Sequence, residues 1–70
     1  MQMLPVSSSN LRAVGYDDSN HILVINFHSG NSYSYSGVPR SMFDGLLSAG
    51  SKGSYHASYI KHSFPYQRIY

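Results

Sequence analysis

The chain has no cysteine and no tryptophan, and only three acidic residues. Without cysteine there is no disulfide framework, no thiolate metal site and no thiol redox chemistry, and the composition suits a reducing compartment such as the cytosol. No apolar stretch approaches the ~20 residues that a membrane helix needs, and no secretory leader is visible, so a soluble cytoplasmic protein with no membrane role is expected. Charged residues make up 11% of the sequence, well under the roughly 25% of an average globular chain. Aromatics at 14% and hydrophobics at 41% supply surface for a folded core and argue against disorder. The 70 residues suffice for one small domain. A core of that size nets only ~3–5 kcal/mol, so most apolar positions must be used.

What charge there is lies unevenly. The acids are Asp17, Asp18 and Asp44, and none follows Asp44. From Gly45 to Tyr70 the chain holds Lys52, Lys61 and Arg68 with no opposing side chain. His56 and His62 lie in the same stretch and add charge below neutral pH. With a net charge of +2 and a pI near 9.1, this half favours an anionic partner, a nucleic acid or an acidic protein surface. The plain alternative is a solvated face.

Residues 1–10 read as a loose amino-terminal segment, with Ser7, Ser8, Ser9 and Asn10 small, polar and without periodicity. Residues 11–70 read as a single α+β domain. A three-stranded antiparallel meander is predicted over about 11–17, 21–28 and 31–37, broken by the turns Asp17–Asn20 and His28–Asn31. Two helices follow, over about 39–49 and 51–62, packed on one face of the sheet. Pro39 fits a first helical turn, Met42, Phe43, Leu46 and Leu47 repeat at helical spacing, and Gly50 suits a left-handed stop. Ser51 is a good cap for the second helix, whose buried side is expected to use His56, Ile60 and Phe64 with help from Tyr59. The tail Tyr66–Tyr70 is aromatic enough to dock.

The second turn decides where Tyr33 and Tyr35 point, because a one-residue slip moves a whole strand to the other face. A three-residue loop with Gly30 at the left-handed bulge position pairs Ile25 with Tyr33 and Leu23 with Tyr35. Both tyrosines then lie under the helices as core. A two-residue loop instead sets them beside Ile22, Val24 and Asn26 on an open face, as a platform for unpaired bases. The first register is favoured, since glycine falls where a positive φ is needed. It leaves Ile22 and Val24 as a small sticky spot, either covered by Met3, Leu4 and Val6 or free to bind a partner or second copy.

Catalytic machinery is not apparent. Asp17 and Asp18 are adjacent and fit a turn, and no two of His21, His28, His56 and His62 stand three or four apart on one helix face as a metal pair would. Gly50-Ser51-Lys52-Gly53 lacks the spacing of a phosphate-cradling loop. No catalytic residue, metal site or cofactor is expected.

The ordered set Val14-Gly15-Tyr16-Asp17, Phe27, Gly30, Tyr33-Ser34-Tyr35, Val38-Pro39, Leu46-Leu47, Ala49, Ser51, Gly53, Tyr55 and Ile60 resembles the KTSC domain. That family is named for a module at the carboxyl end of some lysyl-tRNA synthetases and also occurs free-standing in bacteria and phage. The likeness spans roughly residues 8–70. Within it Tyr33, Tyr35, Pro39, Ser51, Gly53 and Ile60 are read as structural. The sequence departs from the family at His56-Ala57, where Phe-Asn is usual. The synthetase fusion implies RNA as a ligand. In that reading Lys52, Lys61 and Arg68 meet phosphates, Tyr55, Tyr59 or Tyr66 stack on bases, and Arg12 and Arg40 extend the track. The alternative is a protein-interaction or self-association module using Ile22 and Val24.

Overall fold

Alternating apolar residues in the first half of the chain build an antiparallel sheet, and the computed structural model describes it over residues 1–70. The strands are β1 (Met3–Pro5), β2 (Leu11–Asp17), β3 (Ile22–Phe27), β4 (Ser32–Ser36) and β5 (Tyr66–Arg68), in spatial order β1-β2-β3-β4-β5. The expected central meander is present, but the sheet has five strands rather than three. The amino-terminal segment adds β1 to one edge, with Leu4 opposite Val14, and the tail adds β5 to the other. Neither three-residue edge carries a periodic signal long enough to read from sequence.

The β3–β4 register is the one with the three-residue loop. Leu23 faces Tyr35 and Ile25 faces Tyr33. Gly30 takes φ 98°, and the Phe27 amide donates to the Asn31 carbonyl at 2.9 Å. At the β2–β3 turn His21 takes φ 55°, so β3 starts at Ile22 rather than His21. Gly37 takes φ 75° and ends β4. Arg12 is the extra residue of a bulge between Leu11 and Ala13.

Helix α1 (Arg40–Ser48) lays Phe43 and Leu46 into the core. Pro39 lies just before it in extended conformation, and Ala49, also extended, closes it; the left-handed stop expected at Gly50 is not used. Helix α2 (Lys52–Tyr55) is capped by Ser51, whose side chain accepts from the Ser54 amide. It runs into a π-helical turn, His56–Ile60, rather than continuing as α-helix to residue 62. The Lys61 amide reaches back five residues to the His56 carbonyl at 2.9 Å. His56 and Ile60 are buried as expected and Phe64 packs against the core. Tyr59 is not on the buried side: it is 55% exposed and leans on Tyr55.

The core is Leu11, Val14, Leu23, Ile25, Tyr35, Val38, Phe43, Leu46 and Ile60, all between sheet and helices. Tyr35 is 3% exposed, whereas Tyr33 is half-buried at the rim. Segment 1–10 meets the Ile22 and Val24 face only in part, through Met3, which pairs with Gly15 beside Val24. Leu4 and Val6 turn to the helix side and pack on the core, because β1 pairs with β2 in plane. Residues Met1 to Met3 lie over Gly15 on the open face: a Cβ built there would come within 2.5 Å of the Met3 sulfur and 3.0 Å of both the Met1 sulfur and the Gln2 carbonyl. Ile22 and Val24 stay half-buried there. No helix is long and apolar enough to cross a membrane.

Candidate nucleic-acid interface

Strand β5 turns the tyrosine pair of β4 into the floor of a cavity. Opposed residues of an antiparallel pair share a face, so Tyr66 lies beside Tyr35 and Arg68 beside Tyr33. The Tyr33 and Tyr66 rings meet edge to face at 5.8 Å, and Tyr35 and Tyr66 lie 6.0 Å apart. The π turn supplies the other wall. His56 points at the sheet, its ring edge-on to Phe27 at 5.3 Å and to Tyr35 at 5.6 Å. The Tyr35 hydroxyl and His56 Nε2 share a buried hydrogen bond of 2.7 Å. Together Tyr33, Tyr35, His56, Lys61, His62 and Tyr66 enclose a cavity of about 120 Å³.

Burial pushes the Tyr35 phenol up to about 12, helped by its neighbours Tyr33 and Tyr66. Burial also holds His56 below the usual imidazole range, with the charges of Lys61 and His62 acting in the same direction. At neutral pH the bonded pair is therefore uncharged, and positive charge is confined to the rim.

The cavity does not stand alone. His56 and Lys61 also line a shallow hollow of about 350 Å³ bounded by Ser9, Asn10, Phe27, His28, Ser29, Gly53 and Ala57. Ser9 in turn borders a polar hollow of about 380 Å³ with Ser7, Ser8, Gly50, Ser51 and Lys52. The Ser7–Asn10 loop is held in place as a wall. The Ser8 hydroxyl accepts from the Asn10 and Leu11 amides, the His28 ring meets the Ser8 carbonyl at 2.9 Å, and the His28 amide donates to the Asn10 carbonyl. The three hollows are neighbours that share lining residues in turn, from Lys52 past His28 and Lys61 to Tyr66, and no carboxylate lines any of them.

The acids are gathered elsewhere. Arg40 pairs with Asp18 and with Asp44, 3.2 Å away in the latter case, and lies over the rings of Tyr16 and Phe43. This cluster borders a cavity shared with Gln2 and Leu4, at the β1 edge, the opposite side of the sheet from β5. Arg40 is thus engaged and away from the track it was expected to extend. Arg12 is exposed on the β2 bulge and lines none of the hollows.

Of the remaining expected residues, Lys61 and Tyr66 come together at the cavity. Arg68 stands on the same edge, tied to the Asn31 side chain at 2.9 Å. Lys52 lies at the far end of the track, donating to the Ala49 carbonyl at 3.2 Å. Tyr55 belongs to the scaffold: its hydroxyl lies 3.3 Å from the Met42 sulfur and its ring fills the space above Gly45. Tyr59 leans on it with the rings tilted and 4.8 Å apart, away from the cavity lining. Sequence reasoning missed His28 and the Ser7–Asn10 wall, which only the tertiary fold brings to the track. It also missed Tyr33 and Tyr35 as cavity lining. Their same-face spacing was visible, but the strand that pairs beside them was not.

Sheet, one-sided helical layer and edge cavity define a small α+β module of the kind carried both alone and within larger proteins. The chain belongs to the KTSC domain family, whose family model matches residues 7–64. It is 42% identical over 62 residues to a protein of Tsukamurella paurometabola, covering 89% of this chain and 92% of that one. It is 33% identical over 67 residues to a lysine–tRNA ligase of Nostoc, covering 96% of this chain but only 12% of the ligase. The crystal structure of a KTSC domain protein from Yersinia pestis superposes with a TM-score of 0.95 at 39% identity, covering 99% of this chain and 97% of that one.

Proposed function

We propose that the domain is a non-enzymatic module that binds single-stranded RNA along the track from Lys52 to Tyr66. The observation that carries this reading is the segregation of charge. The three hollows together are free of carboxylates and hold Lys52 and Lys61, while all three acids lie elsewhere. A polyanion is drawn to such a groove, and the exposed Tyr66 at its end offers a stacking surface to an unpaired base. Kinship with a segment of lysine–tRNA ligases supports RNA over other polyanions. The protein-docking alternative at Ile22 and Val24 has less behind it, since both are half-buried and Met3 leans over the adjoining Gly15.

The reading is tested by titrating a fluorescent oligouridine with the wild-type chain and with Lys52→Ala/Lys61→Ala. Loss of two phosphate contacts weakens binding while circular dichroism stays that of a folded domain. Identical titration curves would remove the nucleic-acid reading.

A further inference from the structure

The geometry points to a single-nucleotide pocket at the end of the track: one unpaired base enters the cavity and stacks on the exposed ring of Tyr66 beside Tyr33, and its phosphate rests on Lys61 and His62. This rests on the RNA reading above and goes beyond it by assigning a base-binding subsite.

Size limits the occupant. Pockets for drug-sized ligands run roughly 300–1,000 Å³, and this one is about 120 Å³, room for one planar ring system and not for an extended ligand. The walls are aromatic. Tyr66 is 62% exposed and Tyr33 is half-buried, so ring surface is available at the mouth, where every base can stack.

The floor fixes the orientation. Tyr35 and His56 satisfy one another across 2.7 Å and present no free charge, so the neutral part of the ligand goes inward. Lys61 and His62 are exposed at the rim. Lys61 also has no protein acceptor, a state it shares only with Arg12 on the β2 bulge, since Arg40, Lys52 and Arg68 are each bound to protein acceptors. A ring inside and an anion outside is the layout of a nucleotide. The neighbouring hollow, reached past Lys61 and lined by Asn10 and His28, gives the strand somewhere to continue. That continuity favours RNA over an isolated phosphorylated aromatic side chain, which needs one cationic point and no track.

The test uses amide NMR of the full chain, titrated separately with uridine monophosphate, inorganic phosphate, phosphotyrosine and a short oligouridine. Uridine monophosphate is expected to shift the Tyr33, Lys61, His62 and Tyr66 amides saturably, and inorganic phosphate to leave Tyr33 unmoved. Tyr66→Ala is expected to weaken the mononucleotide roughly ten-fold or more, as loss of one base–ring stack does, and Tyr66→Phe to restore it. Oligouridine binding with no mononucleotide effect at the cavity would overturn the pocket and leave the track reading standing. Binding of neither would overturn both. Inorganic phosphate reproducing the mononucleotide shifts would reduce the site to an anion site, and tighter binding of phosphotyrosine would contradict the nucleotide assignment.

Discussion

The Tyr35 hydroxyl and His56 Nε2 lie 2.7 Å apart in a buried hydrogen bond that joins the sheet to the π turn. The bond does two things at once. It completes the core between β4 and the π turn, and it closes the floor of the aromatic cavity with neutral groups.

Tyr35→Phe leaves the His56 ring nitrogen without its partner inside the protein. The expected loss is about 1–3 kcal/mol, the desolvation cost of an orphaned buried polar group, read as a lower midpoint in urea. Replacing both partners, Tyr35→Phe with His56→Phe, should recover much of that loss, because apolar groups of similar shape need no hydrogen bond. A double variant as weak as the sum of the singles would show that the two residues act independently.

The same pair sets the pH range of stability. Folding lowers the His56 pKa below 6.5, so the unfolded chain binds the proton more readily. The stabilisation is complete above pH ~6.5 and is lost as pH falls through the folded-state value. Folding raises the Tyr35 pKa from 10.0 to about 12, so its contribution is complete below pH 10 and fades as pH climbs toward 12. Thermal melts across pH should thus decline on both flanks. In His56→Phe the acid-side decline attributable to His56 should be absent; an unchanged acid limb would assign it to other groups.

Gly45 sits in the middle of α1, where alanine would ordinarily gain roughly 1 kcal/mol of helix propensity. A Cβ there would collide with the Tyr55 hydroxyl, and it would lie 2.9 Å from the ring carbon that bears it. The ring is hemmed in by Met42 and Tyr59. Gly45→Ala is therefore expected to lower the melting temperature despite the propensity gain. A higher melting temperature would mean that the ring moves aside freely.

Arg40→Ala separates the two charged regions. Its carboxylate partners are exposed, and exposed pairs of this kind are worth about 0–1 kcal/mol, so stability changes little. Oligouridine affinity should stay within about two-fold of wild type, since a cation already neutralised by carboxylates adds no phosphate contact. A loss as large as that of Lys61→Ala would place RNA on the β1 edge as well.

Much of this was legible from residues alone. Gly30 and the strand periods gave the β3–β4 register, Ser51 gave a helix start, and the Met42–Leu47 stripe gave the helix that covers the sheet. The edge strands were not legible, because Met3–Pro5 and Tyr66–Arg68 are each held by a neighbouring strand and too short to show a period. The π turn has no residue signature, so its effect on Tyr59 could not be read. The cationic half was visible as composition, but its division was not. Arg40 looked like an extension of the track until the fold set it between Asp18 and Asp44.

The most direct check on the central claim is the salt dependence of oligouridine binding between 50 and 200 mM. With Lys52, Lys61 and Arg68 each meeting a phosphate at ~0.7 released counterions per contact, log affinity against log salt should fall with a slope near −2. A flat line, or no binding at low salt, would contradict the account.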